Sequence, residues 1–345
     1  MLAARCRAYA PHRAALSTRR SSVLSFLSAA ASRERLTPPP PLPPPSTLRV
    51  AADCELQYVD LRPSSRGPLS KTFVLLHGAP GTYNDYRYLI PSLQREAPDA
   101  RIISLNQPGF GDATVETHRL VHIANTSAST HLTLQALQTL CAEEPSGGVF
   151  LVGHSFGGHA AMDIAAVGLD GRLKVDGIVL LASAGTRPHR VLRPRASALA
   201  VQLLSSSARP RVSQELLASL VKFVYTSVLG FKADFPASHY VAGVIRAGTT
   251  DFSRVKRSVE LLHAAAMPTL SAWSADDEFM EDAVPTALAE RLGSSRRLAF
   301  SSAGHNLQKT RAAILAAEIA LWADAILLDP KETPPKGAVS VHRLP

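Results

Sequence analysis

The chain has 345 residues, is 46% hydrophobic and carries 37 Lys and Arg against 28 Asp and Glu, a formal charge of +9. Eight Arg and one acid fall within residues 1–49, leaving 29 basic and 27 acidic residues beyond, so the excess charge does not describe a nucleic-acid-binding face. Cys6, Cys54 and Cys141 are too few and too widely spaced for a disulfide framework or a zinc site, and the most apolar stretch, 312–328, is interrupted by Glu318 and Asp324, against a transmembrane span.

In chain order, residues 1–36 hold seven Arg, many Ser and Ala, and the single acid Glu34. That composition predicts an import signal and an organellar protein, mitochondrial ahead of plastid, with secretion and a cytosolic tail as the alternatives. The run "TPPPPLPPP", residues 37–45, fixes φ and removes donors, so it reads as an extended spacer. Residues 1–47 are therefore set apart as a targeting segment with a Pro-rich linker, and the folded domain is expected to begin near Leu48.

Beyond it, short apolar runs predict strands at 55–60, 72–76, 101–105, 149–153, 177–182, 268–273 and 296–300. Amphipathic stretches predict helices at 84–96, 117–142, 156–168, 284–292 and 308–328. Strands that are apolar throughout, alternating with helices, imply an α/β fold with a mostly parallel sheet covered on both faces. Such sheets bind ligands beyond the carboxyl ends of their strands. One interval is too long for a single crossover: about 85 residues separate Leu181 from Met267, where connections are normally short. It reads as an inserted helical cap, which divides the chain into a core of 48–186 and 265–328, a cap of 187–264 and a disordered tail of 329–345.

The strand-end segments carry the chemistry. "VGHSFGGHA", residues 152–160, has the Gly153-x-Ser155-x-Gly157 spacing of a sharp strand-to-helix turn that exposes a serine hydroxyl. A neutral hydroxyl needs a base, and the base an orienting acid. "SADDEFM", residues 274–280, offers Asp277, with Asp276 as the alternative, and "SSAGHNLQK", residues 301–309, offers His305. His154 and His159 read as loop and helix residues. An oxyanion requires backbone donors, expected from Phe156 and from Ala79 in "LLHGAPGT", residues 75–82, because Pro80 has no N–H. His77 is expected to brace that loop.

Together "LLHGAPGT", "NQPGFGDA", "VGHSFGG", "WSADDEF" and "SSAGHNLQK" resemble the α/β-hydrolase fold superfamily over roughly residues 50–328. The first and last of these are similar to the epoxide-hydrolase and haloalkane-dehalogenase branch, whose nucleophile is an aspartate. Ser155 stands there instead, and Asn106 stands where relatives often carry Asp. The resemblance implies a serine hydrolase using Ser155, His305 and Asp277 on an ester, thioester or carbon–carbon bond, without metal or organic cofactor. A non-catalytic ligand-binding or scaffold relative is the alternative. The apolar cap predicts a small apolar or acyl substrate. Its six arginines, at 187, 190, 193, 195, 209 and 211, read as a solvated face, with approach to an anionic membrane surface or to an acidic substrate kept open.

Overall fold

The computed structural model describes residues 38–63, 71–111, 117–143, 147–206, 210–328 and 341–344. The expected targeting segment up to residue 37 lies outside them. Among the described residues nine strands form one sheet: β1 (Ser46–Ala51), β2 (Cys54–Leu61), β3 (Thr72–Leu76), β4 (Arg101–Leu105), β5 (Val149–His154), β6 (Gly177–Leu181), β7 (Thr269–Ser274), β8 (Arg296–Phe300) and β9 (Val341–Leu344). Their order is β1-β2-β4-β3-β5-β6-β7-β8-β9. The β1–β2 and β2–β4 pairs are antiparallel and the others parallel.

Because side chains alternate across a strand, each central strand feeds two cores. Val74, Leu76, Leu151 and Leu180 join one cluster, and Phe73, Leu75, Phe150 and Val179 the other. The first is covered by helices α3 (Thr126–Glu143), α4 (Phe156–Gly168) and α8 (Phe252–Ala264). The second is covered by α1 (Leu89–Glu96) and α11 (Ala312–Leu328).

Three expected helices are broken, each for a local reason. The 84–96 stretch becomes a 3-10 turn, Tyr83–Tyr86, followed by α1. Starting α1 at Leu89 puts Pro91 in the first turn, where its missing N–H is not needed. The 117–142 stretch divides into α2 (Thr117–Ala124) and α3 at Asn125, whose Oδ1 accepts from Ala128 N at 2.9 Å and whose Nδ2 donates to Val121 O at 2.9 Å. One side chain thus ends one helix and caps the next. The 308–328 stretch divides at Arg311 into α10 (Leu307–Thr310) and α11.

Helices α5 (Pro194–Leu204), α6 (Arg211–Phe223) and α7 (Ala237–Gly248) stand over the strand ends, α6 being prolonged by a π turn at Val224–Val228. The last helix of the expected cap, α8, packs instead on α4. Its Val255, Val259 and Leu262 enter the sheet core, and Ser258 Oγ donates to the buried Asp163 Oδ1 at 2.7 Å. It is the crossover helix before β7, so the insertion is shorter than residues 187–264. At the other end, the tail expected to be disordered over 329–345 includes β9, whose residues 341–344 pair with β8. β1, also missed, begins at Ser46 and alternates exposed Thr47 and Arg49 with half-buried Leu48 and Val50. Among the described residues no helix is long and apolar enough to cross a membrane. A final helix, α9 (Ala283–Leu292), lies between β7 and β8.

Candidate active site

Ser155 sits between β5 and α4 at φ 53° and ψ −122°, a left-handed conformation that a side chain enters only under strain. Its backbone is pinned on both sides. Ser155 N donates to Leu181 O at 3.0 Å, and its carbonyl accepts from Gly158 N at 3.0 Å and Ala184 N at 3.1 Å. A Cβ on Gly153 would lie 2.5 Å from Gly157 O, and one on Gly157 would collide with the carbonyls of Leu76 and His77. The spacing of glycines about Ser155 is therefore a steric requirement of the turn.

Asp277 and His305 arrive from the loops after β7 and β8. His305 Nδ1 meets Asp277 Oδ2 at 2.7 Å, and the other carboxylate oxygen accepts from Phe279 N at 2.8 Å and Met280 N at 2.9 Å. Burial alone would raise the Asp277 pKa, but the hydrogen bonds from His305 and the two amides outweigh it and hold the group below the usual carboxylate range. An ionised acceptor at Nδ1 fixes the proton there, leaving Nε2 as the basic nitrogen. Asp276 has a different task. Its carboxylate accepts from Ala303 N at 3.0 Å, Gly304 N at 2.8 Å and Ser302 Oγ at 3.1 Å, bracing the loop that carries His305.

His154 and His159 are buried beside the elbow, each with Nε2 against a backbone carbonyl, of His305 and of Gly185. Burial and the neighbouring His305 push His154 down to about 3, and burial also lowers His159. His154 donates from Nε2 to His305 O at 3.0 Å, with ring centroids 4.8 Å apart, so it supports the base from behind.

The β3 loop faces the elbow closely: a Cβ on Gly78 would lie 3.1 Å from Ser155 Cβ. His77 Nε2 accepts from Gln107 N at 2.8 Å, so Nδ1 carries the proton and donates to Gly78 O at 2.6 Å. The peptide plane then turns the Ala79 N–H away from His77. Phe156 is the first residue of α4, whose N–H has no acceptor within the helix. Ala79, Phe156, Ser155 and His305 all line one cavity of about 460 Å3. Asn106 braces the same loop by accepting from Tyr83 N at 2.7 Å and donating to Gln57 Oε1 at 3.1 Å, a donor function that Asp would lack.

Residues 47–319 match the family described as "Alpha/beta hydrolase of unknown function (DUF1057)". The chain belongs to this α/β-hydrolase family. A Caenorhabditis elegans protein, F35H12.5, is 24% identical over 61% of the chain and 57% of its own length. A Mycobacterium tuberculosis protein named "Putative hydrolase LipZ" is 30% identical over 39% of the chain and 46% of its own length. The chain thus spans about half the length of the curated relatives it matches. The fold is similar to that of a thioesterase domain from the curacin biosynthetic pathway, at TM-score 0.54 and 17% identity, covering 80% of this chain and 98% of that one. A bromoperoxidase from Bacillus anthracis gives TM-score 0.56 and 18% identity, covering 81% and 99%.

In this α/β-hydrolase three residues of the site escape a reading of the sequence. Arg190, expected on a solvated face, donates from Nη2 to the carbonyls of Asp277 at 2.7 Å and Met280 at 3.1 Å, while Arg187 and the Arg190 N–H hold Glu281. These arginines clamp the start of the cap onto the acid-bearing loop. Arg246, buried on α7, donates to Gln107 Oε1 at 2.9 Å, and Gln107 in turn holds His77. His189 is buried against the cavity with neither ring nitrogen hydrogen-bonded, and burial, aided by His305, pushes it down to about 4. The partners of Arg190 and Arg246 are scores of residues away in sequence, so no local pattern marks these two.

Proposed function

We propose that the chain is a serine hydrolase that cleaves an ester, thioester or similar carbonyl substrate through an acyl-enzyme. Ser155 Oγ attacks the carbonyl carbon as its proton passes to His305 Nε2. Asp277 keeps Nδ1–H in place and offsets the charge that forms on the ring. The N–H groups of Phe156 and Ala79 receive the oxyanion, each such donor being worth about 10² to 10³ in rate. Collapse expels the alcohol or thiol, which leaves with the proton from His305. Water then repeats the sequence on the acyl group and releases the acid.

The observation that carries this reading is the Asp277–His305 pair, 2.7 Å apart, beside the cavity into which the strained Ser155 elbow opens. Phe156, Leu192, Leu229, Phe231 and Met280 line that cavity and favour an apolar acyl group. His189, neutral and unpaired beside the same space, offers one hydrogen bond to a polar atom of the substrate.

The test is hydrolysis of a panel of oxygen esters and thioesters of increasing acyl length by wild type and Ser155→Ala. The proposal predicts turnover of at least one series by wild type and a loss of about 10⁴ or more in the variant. Folded wild type that turns over none of them would transfer the site to ligand binding without catalysis, and a rate unchanged by Ser155→Ala would remove Ser155 as the nucleophile.

A further inference from the structure

Helix α6 has two apolar faces. Leu217, Ala218 and Val221 pack inward against the core, whereas Val212, Leu216, Leu220 and Phe223 recur at intervals of four, four and three residues and are 57–67% exposed. These intervals put the four on one stripe, and Val228 on the π turn adds a further exposed apolar side chain. Scattered surface leucines are ordinary, but a continuous apolar stripe marks an interaction surface.

The stripe leads to the cavity. Tyr225 and Leu229, on and just after the π turn, line it, and Val191, Arg193, Leu229 and Lys232 are exposed as well as cavity-lining, so one mouth opens within the cap. The cap is also one-sided in charge: residues 187–232 hold eight Lys and Arg against the single acid Glu215. Arg187 and Arg190 bind Glu281 and its loop, and Arg193, Arg195, Arg211 and Lys232 are exposed.

We propose that this face of the cap docks on a lipid bilayer carrying anionic headgroups. Apolar side chains enter the acyl boundary while basic ones reach the headgroups, the composition of an interfacial helix. A second copy of the chain fits the face less well, because a two-fold contact would set the basic rim against itself. The chain's own first 36 residues, with seven Arg and one acid, have the same sign of charge as the cap and offer it no charge complement. Docking would present the mouth between Leu229 and Lys232 to molecules dissolved in the lipid. That consequence rests on the hydrolase reading above, whereas the docking itself does not.

The experiment is flotation of the full-length protein with phosphatidylcholine vesicles, with and without phosphatidylserine. Wild type is compared with Leu216→Ser/Leu220→Ser/Phe223→Ser, with Arg195→Gln/Arg211→Gln and with Ser155→Ala. The arginine-rich first 36 residues are the same in all four, so the differences between them report the cap. The triple variant is expected to bind phosphatidylserine vesicles at least tenfold more weakly. The double variant should lose about fivefold per charge, and Ser155→Ala should bind like wild type. Hydrolysis of a short soluble ester by the triple variant should be unchanged, because none of its three residues lines the cavity. Vesicle binding that the triple variant retains in full would overturn the proposal, as would a concentration-dependent dimer lost in that variant without any vesicle binding by wild type.

Discussion

Asp277 and His305, carried on loops after adjacent strands, meet through Oδ2 and Nδ1 at 2.7 Å, and the second oxygen of the acid is fully occupied by the amides of Phe279 and Met280. The acid thereby has one orientation and the imidazole one tautomer. Asp277→Asn preserves the volume but presents either an N–H or a weaker acceptor to Nδ1. The expected result is a fall in kcat of about 10³ to 10⁴ with a small change in KM, measured on whichever ester the wild type turns over. Asp276→Asn should cost about tenfold or less, because its carboxylate holds the loop of His305 and not the ring.

The clamp between cap and acid loop gives a second prediction. Arg190→Met removes the donors to the carbonyls of Asp277 and Met280 while keeping much of the aliphatic stem. With the guanidinium half exposed, the expected stability loss is about 1 kcal/mol. The informative readout is kinetic: kcat should fall more than KM rises, since the clamp positions the acid. An effect on KM alone would assign Arg190 to substrate binding.

A third prediction concerns the oxyanion loop. His77 Nδ1–H fixes Gly78 O and hence the direction of the Ala79 N–H. His77→Leu leaves that carbonyl free to turn, and kcat is expected to fall by about 10². Labelling of Ser155 by an acyl-type inhibitor should slow in parallel. A loss of stability with kcat unchanged would reduce His77 to a structural role.

Buried histidines set the pH dependence of stability. Burial pushes His77 and His154 down to about 3, and His189 and His239 to about 4, from an ordinary value of 6.5. Between about pH 6.5 and 4 the unfolded chain therefore binds protons that the native state refuses, and stability falls as pH falls through that window, by up to about 1.4 kcal/mol per pH unit for each histidine. Asp277, whose native pKa is depressed, adds its loss only at lower pH, as its own carboxylate protonates. Thermal unfolding from pH 7 to pH 4 should show a steep decline that His239→Phe makes shallower. A flat profile would mean that these rings titrate in the native state.

Much of the fold was legible because parallel strands buried on both faces are apolar runs with sharp ends, as at 72–76, 101–105 and 149–153. The elements near the candidate site were legible because a serine at a tight turn demands Gly153 and Gly157, and because Asp277 and His305 directly follow strands. What escaped depends on contacts distant in sequence. β1 and β9 are edge strands stabilised by their neighbours, α8 reveals its core role only through Asp163 and the core residues around it, and Arg190 looks like any surface arginine until it reaches the carbonyl of Asp277. The exposure of Leu216, Leu220 and Phe223 on α6 is likewise set by how the helix packs and not by any local pattern.

The most direct measurement is intact-mass and peptide analysis of the protein after treatment with a fluorophosphonate. The account predicts one adduct, on Ser155, absent from Ser155→Ala and formed far more slowly in Asp277→Asn. A folded wild type that forms no adduct, or forms it equally in Ser155→Ala, would contradict it.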